Sequence, residues 1–211
     1  MEKCCLIVSG GEYDPICDEL KASDYIISCD KGYIYAEKMG IKSDIIIGDF
    51  DSASEPETDI PIERYPVKKD DTDTMLAIKH ALKKSWKNII ICCAFGGRLD
   101  HTLANIQAAS YAADRGCSVR VLGKDTQLFV FRDGNISIKK KEHWSLSVFA
   151  LSDECRGVTI RGTKYDCSDI IIKNTFPLGV SNAWKDDKAL ISVGSGIILV
   201  LCSRMKEVEN G

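Results

Sequence analysis

Ten cysteines are present, yet no two stand in a Cys-x-x-Cys pair, the spacing most typical of structural zinc sites and dithiol redox centres. Cys4, Cys5, Cys92 and Cys93 fall instead inside apolar, strand-like runs, where a buried thiol behaves as a small hydrophobe. No apolar run approaches the length of a membrane span. There is no basic tail or stripe, and the formal net charge is −3, which argues against a duplex nucleic-acid binder. An acidic chain can still take an anionic nucleotide if a metal or local Lys and Arg offset the repulsion. Internal repeats, low-complexity stretches and long flexible linkers are absent too. Met1-Glu2-Lys3 runs straight into the apolar residues 4–8, too short and wrongly flanked for a secretory signal, so a cytoplasmic chain is expected.

The 211 residues, 45% of them hydrophobic, suffice for one large or two small domains with a real core. Residues 1–130 alternate short apolar runs with helix-like patterns. Strands are predicted at 4–8, 25–28, 44–47, 88–92 and 118–122, and helices at 15–22, 32–39, 74–85 and 100–115. In the last helix Leu99, Leu103, Ile106 and Ala113 share a face. Gly40 and Gly116 stand where helices should end. Such alternation predicts a mostly parallel sheet. From about residue 127 short β-rich runs take over, at 127–131, 135–139, 145–149, 157–161, 170–173, 189–193 and 196–201. Asp133-Gly134 reads as a turn near the boundary. The expected architecture is an α/β N-terminal domain (1–130) with a mostly parallel sheet, followed by an all-β, sandwich-like C-terminal domain (131–211).

Three acidic clusters stand out in the first half. Gly48-Asp49-Phe50-Asp51-Ser52 follows the apolar Ile45-Ile46-Ile47 directly, at the carboxyl end of a predicted strand, where open α/β sheets bind ligands. Two aspartates one residue apart repel unless a proton or cation intervenes, and Mg²⁺ is the hard cation that suits such oxygen donors. A polar Asp/Ser turn is the plainer alternative. The second cluster is Lys68-Lys69-Asp70-Asp71-Thr72-Asp73-Thr74, and the third, after Ile89-Ile90-Ile91, is Phe95-Gly96-Gly97-Arg98-Leu99-Asp100-His101. Arg98 presents a planar fork able to hold two phosphate oxygens. Gly96 and Gly97 allow close backbone approach, and a helix starting near Leu99 favours anions. Asp71 and Thr72 also suit helix N-cap positions.

In this order, these elements resemble the thiamine pyrophosphokinase family. The resemblance is carried by Cys29-Asp30-Lys31-Gly32, the three clusters above, Asn105, Gly162-Thr163-Lys164-Tyr165 and Gly179-Val180-Ser181-Asn182. It implies an α/β nucleotide-binding domain joined to a β-sandwich, usually as a homodimer. It also implies transfer of a diphosphate from ATP to the hydroxyethyl group of thiamine, giving thiamine diphosphate and AMP. Thiamine would bind in a cleft at the subunit interface, to which the β domain contributes. Asp49, Asp51, Asp73 and Asp100 are the expected Mg²⁺ ligands, directly or through water. Asp71, Asp73 and Asp100 are the candidates to take the alcohol's proton. Asp30, Lys69, Arg98, His101 and Asn105 are placed with the nucleotide. Tyr165 and Trp184 are candidates for stacking on thiamine, Ser181 and Asn182 for polar contacts, with Trp184 as sandwich core the competing assignment. Two departures from the family pattern stand out: Ala183 replaces a glutamate common in bacterial relatives, and Lys31 interrupts an Asp-Gly-Gly sequence.

Three other functions share parts of this pattern: a diphosphokinase acting on another alcohol such as a pterin, a nucleotide-binding protein without turnover, and a Mg²⁺-dependent phosphohydrolase. The segment 179–182 favours thiamine over a pterin. The number of aligned carboxylates favours an enzyme over a binder.

Overall fold

The computed structural model describes residues 3–15, 23–50, 56–66 and 70–205. The chain divides into two compact units, Met1–Lys124 and Asp125–Gly211, the division falling at the loop after the last parallel strand, slightly ahead of the position expected from composition.

The first unit contains β1 (Cys5–Val8), β2 (Tyr25–Cys29), α1 (Gly32–Lys38), β3 (Ile45–Gly48), β4 (Ile62–Arg64), α2 (Asp73–Lys83), β5 (Asn88–Cys92), α3 (Leu99–Asp114) and β6 (Ser118–Leu122). The strands pair in parallel in the order β6-β5-β1-β2-β3-β4. All four residues of β1 are fully buried, as is most of β5, which is why both read as unbroken apolar runs rather than alternating ones. The strand order reverses between β1 and β5. Chain leaving β1 turns toward β2, and chain leaving β5 turns toward β6, so a crevice opens between their carboxyl ends. The predicted helix at 15–22 falls almost wholly outside the described residues.

Each helix end has a local cause. Thr72 caps α2, its side chain accepting from the Met75 amide at 3.2 Å. Gly40 and Gly116 close α1 and α3 in the left-handed conformation, and Ser85 takes the same conformation after α2. The face of α3 corrects the expectation from spacing. Its buried side is Asn105, Ala108, Ala109, Ala112 and Ala113, while Leu99 and Leu103 are 73% and 55% exposed. Alanines allow the helix to lie close to the sheet, so the packed stripe is the small residues rather than the leucines. Among the described residues no helix is long and apolar enough to cross a membrane.

The second unit is all-β: β7 (Thr126–Lys139), β8 (Trp144–Ala150), β9 (Glu154–Arg161), β10 (Cys167–Lys173), β11 (Gly179–Asn182) and β12 (Lys188–Arg204). The long β12 pairs antiparallel with β7 along most of its length, with β9 through its first half and with β8 through its second. β10 extends the β9 side and β11 the β8 side. Leu146, Val148, Val158, Ile160, Ile191 and Val200 belong to one buried apolar cluster, giving the sandwich-like core. Asp133-Gly134 is not a turn between two strands. Both residues have positive φ inside the continuous β7 and face the register shift between Val193 and Ile197 of β12. Asp133 Oδ1 accepts the Gly196 amide at 2.9 Å. The dipeptide makes a β-bulge at which both long strands bend. Likewise the runs 189–193 and 196–201 are two halves of one strand.

The nine described cysteines all carry free thiols, seven of them buried. Burial pushes the Cys202 thiol up to about 12, which keeps it protonated and unreactive.

Candidate active site

A cavity of about 560 Å³ opens at the carboxyl ends of β1, β2, β3 and β5, in the size range of small-molecule sites. Its position follows from the strand order, since the loops after β1 and β5 diverge there. Ser9, Gly10, Gly11 and Glu12 enter from β1, Asp30 and Lys31 from β2, and Asp49 from β3. Gly96, Gly97, Arg98, His101 and Asn105 enter from the β5–α3 connection, and Asp71, Thr72, Asp73 and Thr74 from the start of α2.

Close backbone packing builds the rim. The Asp30 amide donates to the Ile47 carbonyl at 2.8 Å, and a Cβ on Gly48 would come within 3.1 Å of Asp30 backbone atoms. The exits of β2 and β3 therefore lie side by side, bringing Asp30 and Asp49 to one wall. A Cβ on Gly11 would meet the Cys93 and Phe95 carbonyls at 2.5 and 2.8 Å. That contact lets the loop after β1 bond the loop after β5, through Ser9 N–H to Cys92 O, Gly11 N–H to Cys93 O and Glu12 N–H to Phe95 O, all between 2.8 and 3.0 Å. Asp30, Phe50 and Cys93, one at each of three strand exits, are non-glycine residues with φ between 44° and 57°. Backbone strain of this kind gathers at functional sites.

Two ion pairs stand at the site. Arg98 reaches Asp100 with both arms, Nε to Oδ1 at 3.1 Å and Nη2 to Oδ2 at 2.6 Å. The guanidinium holds the Asp100 carboxyl below the usual carboxylate range, and the carboxylate raises Arg98 in turn. Asp100 Oδ1 also accepts the His101 amide at 3.0 Å. Asp71 takes Lys79 Nζ on both oxygens, at 2.8 and 2.7 Å. Glu12 Oε1 accepts the Gly97 amide at 2.8 Å. Asn105 is buried, its Nδ2 donating to the Ala94 carbonyl at 2.8 Å, which ties α3 to the loop after β5. Ser9 and Thr74 share a buried hydroxyl–hydroxyl bond of 2.8 Å.

Of the residues expected at this site, Asp30, Asp49, Asp71, Asp73, Arg98, His101 and Asn105 line the one cavity, with Asp100 held against Arg98. Asp51 and Lys69 lie outside the described residues. Ser9, Gly10, Gly11, Glu12 and Lys31 also line it, beyond the site residues the sequence predicts. Their signal was present, since Gly10-Gly11 follows the apolar run of β1 as Gly96-Gly97 follows β5. Among the described residues no three His, Cys, Asp or Glu are gathered as a preformed metal cage. The donors that line the cavity are nonetheless carboxylates, which suit a hard cation. Mg²⁺ keeps several waters and commonly needs only one or two protein carboxylates beside substrate phosphates. Asp49 and Asp73 fit that requirement.

The four residues expected to recognise the organic substrate lie in the second unit, and they divide. Tyr165 is 63% exposed, and Ser181 is exposed with φ 60°, its amide held by Ser147 Oγ at 3.0 Å. Asn182 is buried and its amide is consumed: Oδ1 accepts from Tyr165 N–H and Ala183 N–H, and Nδ2 donates to Thr163 Oγ1 and the Tyr165 carbonyl, all at 2.9–3.0 Å. Its role is to fix the 162–165 loop against β11, because an amide side chain with two donors and two acceptors engaged has little left for a ligand. Trp184 belongs to the buried core cluster and is only 8% exposed. Its indole N–H donates to the Ile138 carbonyl at 3.2 Å. This burial favours the competing assignment, a core tryptophan, over stacking on substrate.

Comparison with known proteins establishes the family. Residues 16–121 match the family model "Thiamin pyrophosphokinase, catalytic domain" and residues 135–198 match "Thiamin pyrophosphokinase, vitamin B1 binding domain". The chain is 31% identical over 208 residues to the thiamine pyrophosphokinase of Bacillus subtilis, covering 93% of this chain and 97% of that one. The crystal structure of thiamine pyrophosphokinase from Bacillus subtilis superposes with a TM-score of 0.84 at 28% identity, covering 97% of this chain and 100% of the other. That of a family protein from Enterococcus faecalis gives 0.82 at 26% identity, with the same coverage. Since one family's two models divide the chain between its two units, and a relative above 30% identity spans nearly all of it, the chain belongs to the thiamine pyrophosphokinase family of enzymes.

Proposed function

We propose that the protein transfers a diphosphate from ATP to the hydroxyethyl group of thiamine, giving thiamine diphosphate and AMP. The observation that carries this is the cavity at the β1/β5 switch point, where two glycine loops, an arginine and carboxylates from four separate elements converge. Such a set suits polyphosphate, since phosphoryl chemistry asks of a protein mainly positioning and charge stabilisation.

The thiamine hydroxyl oxygen bonds to the β-phosphorus of ATP, in line with the bridging oxygen that departs on AMP. Arg98 exchanges its bidentate partner Asp100 for phosphate oxygens. The amides of the Gly96-Gly97 turn and of the first turn of α3 face the same anion. Asp49 and Asp73 would hold a divalent cation, directly or through water, with Asp51 and Asp100 as the further candidate ligands. When bound, Mg²⁺ supplies charge neutralisation across the polyphosphate. The hydroxyl proton passes to a carboxylate of the Asp71, Asp73 and Asp100 group. Asp30, Lys69, His101 and Asn105 orient the nucleotide. Asn105 is suited to this because its bond to Ala94 fixes α3 against the glycine turn. Tyr165 offers an exposed ring for the flat cationic substrate, and Ser181 an exposed hydroxyl. The same proposal makes the protein a cytoplasmic homodimer.

Incubation of the purified protein with ATP, Mg²⁺ and thiamine, followed by chromatography of the products, tests the assignment. Thiamine diphosphate and AMP should rise together. Intact ATP with no thiamine product would reject thiamine as acceptor and favour another alcohol such as a pterin, while ATP breakdown without a thiamine product would favour hydrolysis.

A further inference from the structure

Two phosphate-seeking donors of the cavity are already occupied by carboxylates of this chain. The Gly97 amide is taken by Glu12 Oε1 at 2.8 Å, and the Arg98 guanidinium by both oxygens of Asp100 at 3.1 and 2.6 Å. The Glu12 contact is built rather than incidental. The Glu12 amide is anchored to the Phe95 carbonyl at 3.0 Å and the Gly11 amide to Cys93 O at 2.8 Å, an approach only a glycine at position 11 permits. Gly96 and Gly97 have φ of +84° and +66°, a left-handed turn that glycine adopts without strain. A Cβ on Gly96 would collide with the Glu12 carboxylate, so the bare glycine leaves the space this carboxylate fills.

We propose that Glu12 and Asp100 are internal stand-ins for phosphate oxygens, so that the site takes a polyphosphate only together with a divalent cation. Glu12 is thereby a positioning and specificity-determining residue. This rests on the assignment of the cavity to a nucleotide. A polyphosphate reaching Gly97 N–H and Arg98 must displace two carboxylates, both of which stay tethered at the rim. Two uncompensated negative charges then face the ligand's own, and binding is disfavoured until a cation lies among them. With the cation present, the displaced carboxylates become favourable neighbours. Linkage makes the effect reciprocal: the cation binds more tightly when polyphosphate is present.

The test is isothermal titration of the full chain with inorganic pyrophosphate, in excess EDTA and in Mg²⁺. The parent should bind in Mg²⁺ and at least about tenfold more weakly in EDTA. Glu12→Gln keeps an acceptor for the Gly97 amide but removes the charge. It should tighten binding in EDTA by about tenfold, the scale of one charge removed at close range in a hydrated site, with no gain, or a loss, in Mg²⁺. A Glu12→Gln protein with the parent's circular dichroism and melting temperature that binds no more tightly in EDTA overturns the proposal. Should that variant fold poorly, Asp100→Asn reads the second contact in EDTA alone, where no cation is held: it should bind pyrophosphate about tenfold more tightly than the parent there, and the absence of any gain overturns the proposal. A parent that binds equally in EDTA and Mg²⁺ overturns the inference but not the nucleotide site. A parent that binds pyrophosphate in neither overturns the nucleotide assignment and this inference together.

Discussion

Arg98 and Asp100 illustrate what single side chains contribute to this site. Each is mostly exposed, so their pairing adds little to stability; its importance lies in what each partner must release on binding. Arg98→Ala should raise KM for ATP at least about tenfold, since a bidentate charge-assisted contact is lost, while thiamine binding changes little. Initial rates at subsaturating ATP check this, and an unchanged rate would remove the clamp role. Asp73→Asn should lower kcat by about a hundredfold or more, as loss of a charge-stabilising group does, with the circular dichroism spectrum retained. Trp184 belongs to the other category of residue. Replacing this buried, hydrogen-bonded ring by alanine should destabilise the second unit by about 3–5 kcal/mol, read as a shift in the urea midpoint.

Among the secondary-structure elements, α2 offers a direct experiment on chain conformation. Ser85 adopts φ 63° at the position where α1 and α3 carry Gly40 and Gly116. Ser85→Gly should stabilise the protein by about 0.5–1 kcal/mol, the left-handed penalty less glycine's entropy, measurable in urea. Edge strand β4 is tied to α2 through Glu63, which accepts from Tyr65 Oη at 2.6 Å and lies 2.9 Å from His80 Nδ1. These contacts, Tyr65 first, hold the Glu63 carboxyl below its usual range. A depressed folded-state pKa adds stability above the unfolded value of about 4.3 and loses it as pH falls through the folded value. Glu63→Gln should therefore melt below the parent at pH 7, and the gap should close toward pH 3. A gap independent of pH would show that packing, not charge, is what Glu63 contributes. Strands β1, β3 and β5 were legible because burial on both faces demands apolar runs, while β2 and β6 were legible as short, largely apolar stretches despite Ser28 and Arg120. β4 was not, since Ile62-Glu63-Arg64 is short, half-polar and at an edge. Asp133-Gly134 read as a turn because positive φ serves a turn and a bulge alike, and only the pairing of β7 with β12 distinguishes them.

For the whole molecule, the division into an α/β unit and a β unit was expected from the change of hydrophobic period near residue 127. The carboxylates of the cavity were legible because strand ends in such sheets face ligands. Glu12 was not, because its importance comes from a contact with Gly97, 85 positions away in sequence, which only the strand order brings about. Nor could spacing assign Trp184, since burial of one aromatic in a β unit is decided by tertiary packing. On the function proposed, the α/β unit delivers the two terminal phosphates of ATP to an alcohol while AMP leaves. The most direct measurement is phosphorus NMR of a reaction with thiamine, Mg²⁺ and ATP carrying ¹⁸O in the bridge between the α- and β-phosphorus atoms. Attack at the β-phosphorus predicts that the bridging label departs wholly on AMP, with thiamine diphosphate formed in equal amount. Label retained in the thiamine product, or release of ADP with thiamine monophosphate, would contradict the account.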